Sequence, residues 1–145
     1  MPCILGVQLP EGARALADRL SVQPYRVSER GDPVGRTGRV YDYAYLSFDV
    51  SDADFDQLPQ QFADAAAFLR AHEADVRALA EAGEAVLDFG HEPRTTSSGY
   101  VAVVQSNRLP RDLVRLAAAL DVTIELTLYL PGDEDSAVAL ERCAV

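Results

Sequence analysis

Two stretches of the chain alternate strictly between apolar and polar side chains, a pattern that only a half-buried β-strand accommodates well. From 41 to 50, Ala44, Leu46, Phe48 and Val50 fall on one side, and Tyr41, Tyr43, Tyr45 and Ser47 on the other. From 122 to 130, Val122, Ile124, Leu126, Leu128 and Leu130 oppose Thr123, Glu125, Thr127 and Tyr129. Successive side chains of a strand point to opposite faces, so each stretch predicts one buried and one polar face. Such strands belong to an antiparallel or mixed sheet that carries helices on one face and leaves the other uncovered.

The rest of the chain fills in that plan. Residues 3–9, 85–89 and 100–105 read as further strands. Helical spacing appears in Ala13, Leu16, Ala17 and Leu20, then in Phe62, Ala65, Ala66 and Leu69. Val76, Leu79 and Ala80 continue the second helix after a break near His72, and Gly83 reads as its C-terminal cap. Ser51 and Asp54 carry a capping signal for that helix, and Pro59 is tolerated only in its first turn. A third helix runs from Asp112 to Leu120 with Leu113, Leu116 and Leu120 inward. Residues 25–40 hold Gly31, Pro33, Gly35 and Gly38, which predicts a hairpin arm rather than a long structureless loop.

Leu9-Pro10, Leu16, Leu20 and Val22 recur as Leu109-Pro110, Leu116, Leu120 and Val122. The repeat predicts an α+β domain over 1–131 on a ferredoxin-like plan: two strand-helix-strand units with a helical insertion between them. Residues 132–145 read as an acidic, loosely held tail. A chain of 145 residues buries enough surface to fold without metal or disulfide.

Composition bounds the function classes. The net charge is −10, with 23 acids against 13 basic residues. All the basic residues are arginine. That balance opposes nucleic acid, whose phosphates must be met by cations. No apolar run approaches the ~20 residues of a membrane span, so no membrane partner is expected. Cys3 and Cys143 make no disulfide framework, which fits a reducing, cytoplasmic compartment.

The motif-like spacings in the chain exclude more than they support. Gly31-Asp32-Pro33-Val34-Gly35-Arg36-Thr37 is one residue short of a phosphate loop and has arginine in the lysine position. Asp52, Asp54 and Asp56 alternate like calcium ligands, but Gln57 and Ala63 stand where glycine and the last acid belong. No metal and no cofactor is therefore expected, and no catalytic residue is assigned. His72 and His91 are the only histidines, the residue type suited to proton transfer near neutral pH. His91 lies in a polar loop, Gly90 to Gly99, beside Glu92, Arg94 and four hydroxyl side chains.

Two features carry a functional expectation. Residues 24–40 hold Arg26, Arg30, Arg36 and Arg39 against only Glu29 and Asp32. Guanidinium forks suit carboxylate or phosphate. The polar strand faces display Tyr41, Tyr43 and Tyr45 on one strand and Tyr129 on another, and tyrosine is enriched in interfaces. The leading expectation is a non-enzymatic module, of immunity or regulatory type, that binds a protein through Tyr41, Tyr43, Tyr45, Tyr129, Arg36 and Arg39. The alternative is a small-anion or phosphoester site, binding or enzymatic, built from Arg26, Arg36, Arg39, His91 and Arg94. The chain itself is expected to be a monomer or weak homodimer.

The order of elements also resembles a family of small bacterial proteins catalogued only as domain of unknown function 4279. The likeness lies in the first strand, the helix closing in Leu20-Ser21-Val22-Gln23-Pro24, the Gly/Arg-rich arm and the aromatic strand after it. It continues through Phe68-Leu69, through Leu79-Ala80-Glu81-Ala82-Gly83, and through Leu116 to Tyr129, covering about residues 3–131. Where such proteins commonly carry a tryptophan, Tyr41 or Tyr43 stands. The resemblance implies a fold and a bacterial origin, and no activity.

Overall fold

β1 (Cys3–Leu9) lies at the centre of a five-stranded sheet, flanked on both sides by antiparallel neighbours. The structure is a computed structural model that describes residues 2–95, 98–99 and 104–130. The chain continues through α1 (Ala13–Ala17), β2 (Arg26–Ser28), β3 (Ala44–Ser51), α2 (Leu58–Ala71), α3 (Glu73–Ala82), β4 (Glu84–His91), α4 (Arg111–Ala119) and β5 (Thr123–Leu128). The sheet order is β2-β3-β1-β4-β5. Among the described strands only β5 is parallel to its neighbour, β4. The fold class is thus α+β with a mixed, open sheet, as the alternation required.

The strand order is ferredoxin-like, but its two units are not the two predicted from the repeat. β1 and β2 run parallel with β3 between them, and α1 joins them. β3 and β4 run parallel with β1 between them, and α2 and α3 join them. The helical stretch expected as an insertion is therefore the second crossover. α4 and β5 extend the sheet beyond it. Leu109-Pro110 precedes α4 with no strand among residues 104–110, so the repeat does not mark equivalent units. The strand expected over 100–105 lies mostly outside the described residues, as do the tail from 132 and Cys143.

Register explains which side chains form the core. Leu5 pairs with Phe48 and Leu87, and Val7 with Leu46 and Ala85, so all six share the face on which the helices lie. Leu69, Val76, Leu79 and Leu113 come down onto that face fully buried. Phe62 meets Phe89 edge-on at 4.8 Å. Each such aliphatic or aromatic side chain contributes roughly 1.5–3 kcal/mol through removal from water.

Three local readings change. α2 and α3 break at His72, as expected, but the helical stretch is not capped by Ser51. Instead the Gln57 side chain accepts from the Asp54 backbone N–H at 2.9 Å, closing a turn just ahead of Leu58. Gly83 caps α3 as expected, but in extended rather than left-handed backbone; a Cβ there would collide with the Gln8 carbonyl, so close approach to β1 demands glycine. The apolar side of β5 does face the helices, yet no described helix reaches its far end. Leu126 is 38% exposed, Leu128 51% and Leu130 70%.

Candidate functional site

The face of the sheet opposite the helices is built by the other half of each strand. Across it, the register sets Arg26, Ser47, Gly6, Val86 and Thr123 in one row. A second row holds Asp49, Ile4, Asp88 and Glu125. Among the described residues no helix packs on this side.

Tyr45 lies flat across the first row. Its hydroxyl sits where a Cβ of Gly6 would be, so only glycine at position 6 lets the ring down onto the sheet. Burial raises the Tyr45 phenol above its usual pKa, against a hydrogen bond with Ser47 that lowers it. Beside it, the Ser47 hydroxyl donates to the Tyr25 hydroxyl at 3.0 Å, and the Tyr25 backbone N–H donates to the Ser47 carbonyl at 2.9 Å. Ser47 is buried beneath this pair while Tyr25 is 51% exposed. The result is a tyrosine-floored surface with its hydroxyl groups at the rim. In the acidic row, burial and the neighbouring Glu125 raise the Asp88 pKa, opposed by the Thr127 hydroxyl, which donates to its carboxylate at 2.7 Å.

Tyr41 and Tyr43 do not continue the β3 row. The hairpin takes their stretch of backbone instead: Gly31 N–H donates to the Tyr41 carbonyl at 2.8 Å and Tyr41 N–H to the Asp32 carbonyl at 2.9 Å. Their rings lie 6.4 Å apart. Arg26 donates to the Tyr41 hydroxyl, and its guanidinium stands 5.9 Å from the centre of that ring. The arm is the expected hairpin, closed by a Pro33–Val40 bridge, with Gly31, Gly35 and Gly38 at positive φ. Its base is fastened to the start of α1. Glu29 accepts from the Gly12 and Arg14 backbone N–H groups, which hold its carboxyl below the usual range, and Arg14 pairs with Asp32 at 2.7 Å. Arg36 and Arg39 stand exposed on the arm, and no side-chain partner is found for either among the described residues.

Tyr129 sits at the opposite corner. Its ring meets Phe55 edge-on at 5.0 Å, and the two cover Gly90, where a Cβ would strike both. Sequence reasoning overlooked Tyr25, Phe55 and the two glycines. An isolated glycine inside a strand pattern was the available signal, since it marks a close approach.

The residues of the anion alternative are not brought together. Arg36 and Arg39 belong to the Ala44 end of β3, whereas His91 ends β4, two residues beyond Phe89, which is level with Ser51. Seven strand residues, about 20 Å, lie between those ends. His91 points to the helix side, buried, with Nδ1 3.5 Å from the Glu92 carbonyl. Arg94, exposed, donates instead to the Ser106 carbonyl and the Asn107 side chain at 3.3 and 3.1 Å. Among the described residues, no three His, Cys, Asp or Glu side chains are placed to hold a metal ion. No described helix is long and apolar enough to cross a membrane.

No family model, curated protein or solved structure matches the chain.

Proposed function

We propose that the chain is a non-enzymatic module that binds a protein partner on the open face of its sheet. The observation that supports this most directly is Tyr45 laid across Gly6 beside the exposed Tyr25, on a side where no described helix packs. Tyrosine rings fixed in one orientation give a large contact area at small entropic cost, and their hydroxyls supply directional bonds. Arg36 and Arg39 on the anchored hairpin add cationic contacts at the rim, and the role is of the immunity or regulatory type in a bacterial cytoplasm. The anion-site alternative has less support, because Arg36 and Arg39 stand at one end of the sheet and His91 and Arg94 at the other.

The test is to isolate a partner with the full chain as bait and measure the complex by calorimetry for the native protein, Tyr25→Ala and Arg36→Glu. Interface aromatics at a binding centre cost ~2 kcal/mol or more when truncated. Tyr25→Ala is expected to weaken binding by that order while leaving the denaturation midpoint nearly unchanged. A partner whose affinity ignores both substitutions would place its contact elsewhere and overturn the proposal.

A further inference from the structure

β3 is longer than the strand that protects its outer edge. β2 pairs only with Tyr45, Leu46 and Ser47, yet β3 runs on to Ser51. Among the described residues no strand pairs with the outer side of 48–51. That stretch borders a shallow groove of about 460 Å³ whose walls include Val50, Ser51, Asp52, Asp64, Phe68 and Ala71. The groove therefore lies between an unpaired strand edge and the outer flank of α2.

Its charge is one-sided. Asp49 and Asp52 are exposed at the strand edge, and Asp64 accepts hydrogen bonds from the Ser51 hydroxyl and the Gln60 amide. None of the three takes part in an ion pair among the described residues; the pairs found are Arg14–Asp32, Arg70–Asp112 and Arg77–Glu73. Phe68 and Ala71 supply an apolar wall beside these carboxylates.

We infer that this edge takes an extended peptide in which apolar and cationic residues alternate, added as a strand beside residues 48–51 of β3. Main-chain hydrogen bonds to the free edge would hold the peptide, and side chains would alternate between the two faces of the sheet. Those on the helix side reach Phe68 and Ala71; those on the open side reach Asp49. The register shift of β3 opposite Cys3 and Ile4 bends the strand here, which limits the added segment to a few residues. This site is separate from the tyrosine floor and does not depend on it.

The probe is a fluorescent eight-residue peptide of alternating valine and arginine, with a valine–glutamate peptide as control. Anisotropy should show saturable binding with Kd below about 100 µM for the cationic peptide only. Amide shifts of the full chain should concentrate at 48–51 and along α2. Ala71→Arg, at an exposed helix end, should weaken binding at least ~10-fold, the equivalent of 1.4 kcal/mol. Asp52→Asn should weaken it less, and Tyr43→Ser should leave it unchanged. No saturation by about 1 mM, equal binding of the glutamate peptide, or shifts confined to the open face would each overturn the assignment. Such a result leaves the open-face proposal standing, because that proposal is read through Tyr25 and Arg36.

Discussion

Gly6 and Tyr45 each fix what the other can be: the phenol ring occupies the space that any β-carbon at position 6 would need. The pair joins the central strand to its neighbour on the side away from the helices, and it makes that face flat. Gly6→Ala should destabilise the fold by roughly 1–3 kcal/mol, the usual cost of forcing a methyl into filled space. Tyr45→Phe removes the nearest clashing atom, so the double variant should lose less than the sum of the two single losses. Urea melts of the four proteins test this, and strict additivity would show that the ring moves freely.

Leu87→Ala should cost about 2–5 kcal/mol in the same measurement, since Leu87 is fully buried on the helix side of β4. Leu126→Ala should cost less than ~1 kcal/mol, well short of a core leucine, because the residue is 38% exposed. Equal losses would show that Leu126 is covered.

Asp75 ties α3 to the chain that leaves α1. One of its oxygens accepts from the Ser21 and Val22 backbone N–H groups and from the Ser21 hydroxyl. Partial burial works against its ionised form, but these bonds prevail and lower its pKa. A carboxyl with a lowered folded pKa contributes stability above its unfolded value, near 3.9, and loses it as pH falls through the folded one. Asp75→Asn should therefore be less stable than the native protein at pH 7, with the gap closing below about pH 4. A gap independent of pH would mean that the carboxylate charge is immaterial.

Asp88 is the opposite case. Burial and Glu125 raise its pKa, so its ionisation opposes folding, and the stability of the protonated form is lost as pH rises through the carboxylate range. Asp88→Asn keeps an acceptor for the Thr127 hydroxyl and removes the charge. It should stabilise the protein at pH 7 and make little difference near pH 3. Thermal midpoints at both values decide the matter, and a destabilised variant at pH 7 would mean that the charge has an unseen partner.

Alternation and helical stripes made most elements legible, because those patterns report burial one residue at a time. β3, β5, the break at His72 and the arm's hairpin could all be read this way. What periodicity does not report is which strands pair. The interleaving of β1, β2 and β3 depends on contacts between distant segments, and a three-residue β2 leaves almost no pattern of its own. The tyrosine row illustrates the same limit. Alternation runs back to Tyr41 without a break, but Gly31 and Asp32 claim the Tyr41 backbone, so the strand starts at Ala44. Of the candidate face, Tyr45 was legible from its position; Tyr25 was not, because it is placed by the turn into β2.

The connectivity also sets an order of assembly. β1 to β4, with α1, α2 and α3, complete the four-stranded ferredoxin-like sheet at His91, before any residue of α4 or β5 has been synthesised. Domains form from the N-terminus during synthesis as their contacts become available. On the ribosome this chain can therefore close its central strand between β3 and β4 early, leaving the edge of β4 bare. β5, the last described strand, then lies parallel along that edge, sealing a site where a nascent neighbour could otherwise pair.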